Sequence, residues 1–284
     1  MKVNISALKG FLALLNLYTY RGAANITIGG NKIHSKCVEP AHVSMIELTL
    51  KATHGSDMDP NKYYTNVERL LNVIKRIKIP GGKKRFDDSI PETSLYLTIE
   101  PKEGVKLDFL LTCDHPSMFF KHTIMTRECD ERPDDIKTPT LNHTASVPID
   151  IDRLHHIARI AGNKKEKTEA ICIKINEKEQ VVASFTNNND ELRSTEITKF
   201  TENGGGKLER SPVTWHTDEN DEPVVALFSP DILGEITKML AKKDVGVTEA
   251  NLWLRKDYPL KLEFTAANGL LTGYIILAPR IESE

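Results

Sequence analysis

An order of elements that occurs twice constrains this 284-residue chain more than any single motif. In the first half, "MKVNIS" reads as a strand and 7–20 as a helix. The strands "ANITIG", "KIHSKCV" and "VSMIELTLK" follow, separated by Gly or Pro. A helix over 66–78 then aligns Val67, Leu70, Leu71, Ile74 and Ile77, with Asn66 as its N-cap. "SLYLTIE", "VKLDFLL" and "MFFKHTIM" end that half. The second half repeats the order: "TASVPID", a helix over 151–161, the strands "AICIKIN", "QVVASFT" and "LRSTEITKF", then "VVALF" leading into a helix over 230–242 capped by Ser229. "EANLWLRK", "LKLEFTA" and "LLTGYIILA" close it. Such a repeat predicts an α+β fold of two similar domains, each with two helices packed on antiparallel sheet. The expected limits are 1–126 and 145–284. The acidic, Pro-containing stretch 127–144 would connect them, and 79–93 and 203–222 read as surface loops.

The remaining bulk properties exclude several classes. Cys37, Cys113, Cys129 and Cys172 are widely spaced, which fits reduced thiols better than a disulfide framework. The N-terminal apolar run is interrupted by polar residues and lacks a small-residue cleavage site, so it reads as a core helix rather than a leader. No continuous apolar stretch is long enough for a membrane-spanning helix. A formal net charge of −2 shared between 38 basic and 40 acidic residues leaves the placement of charge to decide any polyanion partner.

Placement is informative. The second helix carries Arg69, Lys75 and Arg76 on its polar face, followed by Lys78. The third carries Arg153, His156 and Arg159, and the fourth Lys238 and Lys242. Near the first helix stand only Lys9 and Arg21. Fewer acids share these faces (Glu68, Asp152, Glu235), a pattern suited either to a solvated surface or to sequence-blind contact with phosphates.

Apolar residues also occur where alternation predicts solvent. In 38–51 the core side is Ile46, Leu48 and Leu50, which leaves Val43 and Met45 opposite. In the last strand Leu271, Ile275 and Leu277 point inward, leaving Ile276 and Ala278 out. Ile136 and Leu141 interrupt the polar connecting segment. These pieces are either covered by neighbouring loops or form a recognition patch.

Catalytic signatures are missing: there is no phosphate-binding Gly-rich loop, no nucleophile elbow and no His-Glu-x-x-His. His34, Cys37 and His42 lack standard zinc spacing and an evident fourth ligand, so a metal-dependent nucleic-acid enzyme is a remote alternative. The chain is not expected to be an enzyme or to carry a cofactor.

Two motifs place this organisation in a known context. "VEPAHVSMIELTL" resembles the Asp-Pro-x-His-Val segment of proliferating cell nuclear antigen (PCNA), the archaeal and eukaryotic DNA sliding clamp. "YPLKLEF…GYIILAPRIESE" is similar to that family's closing strands and its Leu-Ala-Pro-(Lys/Arg)-Ile-Glu signature. The resemblance implies a DNA-clamp fold and a trimeric ring with twelve helices lining its hole, joined by strand edges expected around 105–125 and 169–187. It implies a sequence-independent duplex-DNA lining of Lys9, Arg69, Lys75, Arg76, Lys78, Arg153, His156, Arg159, Lys238 and Lys242. It also implies a pocket for client peptides at Val38, His42, Val43, Met45, Ile136, Leu141, Pro259, Ile276, Ala278, Pro279 and Ile281. Expected partners are further copies of the chain, a DNA polymerase, a clamp loader, and flap-nuclease and ligase clients. A heterotrimeric or checkpoint-type clamp subunit is the alternative. The expected location is on chromosomal DNA within the cell, cytoplasmic in an archaeon and nuclear in a eukaryote.

Overall fold

The computed structural model describes residues 1–19, 22–53, 60–76, 96–101, 106–115, 118–127, 136–166, 168–202, 204, 206–217 and 223–280. The expected loop at 79–93 and the sequence-predicted residues Lys78 and Ile281 lie outside them. The chain divides into two compact units, Met1–Lys137 with Ala266–Gly273, and Thr138–Thr265 with Tyr274–Glu284.

The first unit contains β1 (Lys2–Asn4), α1 (Ile5–Asn16), β2 (Ala23–Gly29), β3 (Lys32–Val38), β4 (Ser44–Lys51), β5 (Asn61–Asn66), α2 (Val67–Arg76), β6 (Tyr96–Pro101), β7 (Lys106–His115) and β8 (Met118–Arg127). Its strands run in the order β1-β6-β7-β8-β5-β2-β3-β4. The β2–β3 hairpin turns at Gly30, whose φ of +56° suits a residue without a Cβ. Helix α1 begins where the Asn4 side chain accepts the Ala7 amide at 3.0 Å. Its buried residues include Ile5, Leu8, Phe11, Leu12, Leu14 and Leu15, so α1 is apolar around most of its circumference. Helix α2 buries Val67, Leu70, Leu71 and Ile74 and is capped as expected, with Asn66 Oδ1 accepting the Arg69 amide at 2.7 Å.

The second unit contains β9 (Ala145–Pro148), α3 (Ile151–Ala161), β10 (Ile171–Ile175), β11 (Val181–Thr186), β12 (Leu192–Glu196), β13 (Phe200–Glu202), β14 (Leu208–Arg210), β15 (Thr214–Trp215), β16 (Val225–Phe228), α4 (Pro230–Leu240), β17 (Val247–Leu254), β18 (Leu260–Ala266) and β19 (Leu271–Leu277). The boundary between units falls inside β19, after Gly273. Here the strand orders are β19-β18-β17-β9-β15, β12-β11-β10-β16 and the hairpin β13-β14. Helix α3 packs against α4 and against β11 and β12. A Cβ built on Gly234 would stand 3.7 Å from the Ala158 carbonyl oxygen, in ordinary van der Waals contact, so the two helices approach closely there. Asp150 caps α3 through Asp152 and Arg153 amides. Ser229 occupies the N-cap of α4 without a side-chain bond, and Pro230 at the first turn presets the backbone instead.

Two expectations need correction. The stretch 203–222 is not wholly loop: β14 pairs with β13, and β15 pairs with β9. The open edge is also displaced. Residues 169–187 contain β10 and β11, both flanked on two sides, and the four-stranded sheet ends at β12 and β16. The Arg280 amide donates to Leu227 of β16 at 2.7 Å, whereas β12 carries Leu192 with 70% of its surface exposed. In the first unit β7 is interior, and β8 meets β5 only at Tyr64 and Arg127 among the described residues.

Candidate nucleic-acid and client-binding sites

The amphipathic helices place Arg69, Lys75 and Arg76 on the exposed face of α2, and Arg153, His156 and Arg159 on that of α3. Lys238 is exposed on α4 and Lys242 just beyond it, whereas Lys9 on α1 is half-buried. Lys75, Arg76, Arg159 and Lys238 lie in last turns, where a cation also complements the helix dipole. Arg159 and Lys238 act on His155. Partial burial first, then the Arg159 guanidinium and Lys238 ammonium, hold its pKa below the ordinary histidine value, with Asp152 opposing. His155 Nδ1 lies 3.4 Å from Thr237 Oγ1 on α4.

Arg153 differs from the other cations. Its Nε lies 3.4 Å from Asp150, its Nη1 donates to the Glu196 carbonyl at 3.4 Å, and its guanidinium sits 5.2 Å from the Phe200 ring centroid. Arg210 faces the same ring at 5.9 Å and its Nε meets Glu196 at 2.6 Å. The β13–β14 hairpin thus engages Arg153 in packing, a role the helix pattern alone could not reveal.

The sequence-predicted client positions divide between the units. Val38, His42, Val43, Met45 and Ile136 belong to the first; Leu141, Pro259, Ile276, Ala278 and Pro279 belong to the second. Between β3 and β4 the chain turns with His42 at φ +60°, its amide donating to Glu39 at 2.8 Å. Met45 and Ile276, expected to face solvent, are each only 6% exposed. Ile136 is 36% exposed, and Val38, Val43, Leu141, Pro259, Ala278 and Pro279 are half-buried. His34 and Cys37 fall on opposite faces of β3, so the remote metal-site grouping is not assembled. His34 Nε2 instead lies 3.1 Å from Glu47, and burial pushes the Cys37 thiol up to about 11.

In the second unit, Leu141 and Ile276 line one cavity of about 940 Å³ together with His143, His216, Trp253, Arg255, Lys256, Lys261 and Tyr274. The connecting stretch is strapped there. The Asn142 amide donates to the Tyr258 hydroxyl at 3.4 Å, Arg255 Nη1 to the Asn142 carbonyl at 3.2 Å, and His143 Nε2 to the Pro259 carbonyl at 3.0 Å. Trp253 stacks on His216 with centroids 4.8 Å apart and 13° between planes, and donates its Nε1–H to Glu263 at 2.8 Å. Lys261 bridges Glu263 at 2.6 Å and lies 5.5 Å from the Trp253 centroid and 4.9 Å from that of Tyr274. Burial chiefly depresses the His143 pKa, the bond to Pro259 opposing it. Sequence reading missed this cluster; its signal was a tryptophan on the half-exposed face of β17, between buried Leu252 and Leu254.

Two helices on antiparallel strands, built twice in one chain, define a DNA-clamp fold. The likeness to solved PCNA structures extends over the whole chain. A PCNA from A. fulgidus, bound to the C-terminal region of FEN-1, superimposes with a TM-score of 0.73 at 17% identity, covering 100% of this chain and 98% of that one. PCNA of Thermococcus kodakaraensis gives 0.71 at 16% identity over 98% and 99% of the two chains. That of Entamoeba histolytica gives 0.72 at 14% over 99% and 98%. Among curated relatives, a DNA polymerase sliding clamp of Methanococcoides burtonii is 37% identical over 83 residues, 28% of this chain and 32% of the relative. One from Methanocella arvoryzae is 44% identical over 61 residues, 22% of this chain and 23% of the relative. The matched segments therefore span about a third and a quarter of those curated relatives' lengths. No protein-family model matches the chain. The fold is that of PCNA, and parts of the sequence are shared with archaeal sliding clamps.

Proposed function

We propose that this chain is a DNA polymerase sliding clamp: a non-enzymatic, trimeric ring around duplex DNA that retains the replicative polymerase and docks client proteins. The observation carrying this reading is the whole-length clamp fold combined with the exposed cations on the polar faces of α2, α3 and α4. Topological retention needs only weak phosphate contacts, because base-specific bonds would halt sliding. Arg69, Lys75, Arg76, Lys78, His156, Arg159, Lys238 and Lys242 supply those contacts, and Lys9 adds a minor one. Arg153 shapes the surface through Phe200 and Asp150. Ring closure would use the open strands β8 and β12, removing edges that otherwise invite uncontrolled pairing.

Primed-template synthesis with polymerase and clamp loader tests the lining. Combined Lys75→Glu, Arg76→Glu, Arg159→Glu and Lys238→Glu should abolish clamp stimulation, and unchanged stimulation would exclude it. Light scattering should give about three times the 31.9 kDa chain mass, and a stable monomer would defeat the ring.

Clients are proposed to dock on the Val38–Met45 and Leu141/Pro259/Ile276–Ile281 positions; that A. fulgidus PCNA binds the C-terminal region of FEN-1 supports a flap-nuclease client. Polymerase, clamp loader and ligase are proposed as further clients, on chromosomal DNA inside the cell. Met45→Ala with Ile281→Ala should weaken a flap-nuclease tail peptide by about 2 kcal/mol without dissociating the trimer.

A further inference from the structure

His155 is a half-buried ionisable side chain on the side of α3 that meets α4, and α4 fixes its ring. The buried Thr237 hydroxyl donates its one proton to the Leu233 carbonyl at 2.7 Å, with the Gly234 carbonyl also near at 3.3 Å. Its oxygen therefore accepts from His155 Nδ1, 3.4 Å away, which places the neutral ring's proton on Nδ1 and the lone pair on Nε2. Among the described residues Nε2 has no hydrogen-bond partner.

The surroundings of this ring are cationic. Arg159 stands one helical turn further along α3, and Lys238 follows Thr237 on α4. Both are exposed, and neither lies within salt-bridge distance of a carboxylate among the described residues. Arg159, Lys238 and His156 oppose a positive charge on His155, while Asp152 favours one. Strands β11 and β12, also packed against α3, contribute none of the charges that act on it. A phosphate set against Arg159 and Lys238 offsets their opposition and offers an oxygen acceptor to a protonated Nε2.

We propose that His155 Nε2 is a further phosphate contact of the lining, formed by a proton taken up from solvent as duplex DNA binds. The inference rests on the proposed DNA lining and gives that surface a hold on DNA that tightens with acidity. The proton adds to the Nε2 lone pair, and the resulting N–H donates to a phosphate oxygen. Linkage is reciprocal: the factor by which bound DNA strengthens proton binding equals the factor by which protonation strengthens DNA binding.

NMR titration of the histidine Cε1–H signals in the full-length protein reads the site directly, with His155→Gln assigning the resonance. The His155 midpoint should lie about one pH unit higher with saturating short duplex at low salt than without it. A midpoint that bound duplex does not move overturns the proposal. By fluorescence anisotropy, duplex binding should tighten as pH falls from about 8 to about 5.5, and His155→Gln should lose up to about tenfold of that gain. His143→Gln, a histidine outside the lining, should keep it. Equal pH responses of wild type and His155→Gln, or equal losses in the two variants, overturn the assignment.

The lining reading fails differently. If Arg159→Gln with Lys238→Gln lowers the salt slope of duplex binding while the wild-type His155 midpoint stays put, the lining stands and the His155 contact falls. If duplex binding is indifferent to that double variant, the lining at these helices falls and the His155 contact with it.

Discussion

Helices α1 and α3 stand at the same place in the repeated order, each entered from a short strand and capped by a side chain of the preceding residue. They have diverged in what they present. Apart from half-buried Lys9, α1 carries no charge, and its buried residues extend around it from Ile5 to Leu15. α3 buries only Ile151, Leu154, Ile157, Ala158 and Ala161, leaving Asp152, Arg153, His156 and Arg159 exposed. One duplicated scaffold thus uses a helix mainly for core formation in the first unit and its counterpart for surface charge in the second. A repeated order of elements does not entail a repeated display of surface charge.

The largest test of that contrast is packing. Phe11→Ala in α1 should cost about 3–5 kcal/mol by denaturant unfolding. Ile160→Ala, on the half-buried side of α3, should cost about 1 kcal/mol. Equal losses would erase the distinction. Next, Arg153→Ala should lower stability by about 1 kcal/mol, given its partly exposed ion pair and ring contact. Arg159→Ala should leave stability nearly unchanged but, on the proposed function, reduce the salt slope of DNA binding by roughly one contact's worth. The reverse assignment would return Arg153 to the proposed lining.

Capping gives a smaller difference. Asn66→Ala removes a side-chain cap and should cost about 1 kcal/mol, whereas Ser229→Ala should cost only a few tenths, since Pro230 rather than the hydroxyl organises that turn. A pH response is expected from the second unit. His143 and His155 have folded pKa values below the unfolded value of 6.5, so the folded state disfavours their protonation. Their stabilising contribution is present above about pH 6.5 and is lost as pH falls below it towards the folded values. His143→Gln with His155→Gln should flatten the thermal-stability profile in that range; an unchanged profile would assign the effect elsewhere.

How far these features were legible depends on the range of the interaction that fixes each. The 3.6-residue pattern located all four helices, and that of α3 matched residue for residue, because burial of one face is written in local spacing. Asn66 was recognisable as a cap for the same reason. The β14 and β15 strands were not: three and two residues long, they exist through pairing with β13 and β9 and have no alternation to read. Likewise 169–187 read as an edge because strand order in a sheet is nonlocal, and topology put the edge at Leu192–Glu196.

The sequence by itself determined the duplicated α+β organisation, the cations on the helix polar faces, and two motifs pointing to a clamp. Each is set by neighbours in the chain, within one helical turn or one strand. Only tertiary structure decided that Arg153 packs on Phe200 and that Ile276 is buried rather than left bare. It alone gathered Trp253, His216 and Lys261 from distant positions around one cavity. Those outcomes depend on which strands lie side by side, and long-range contacts of that kind leave no period in the sequence.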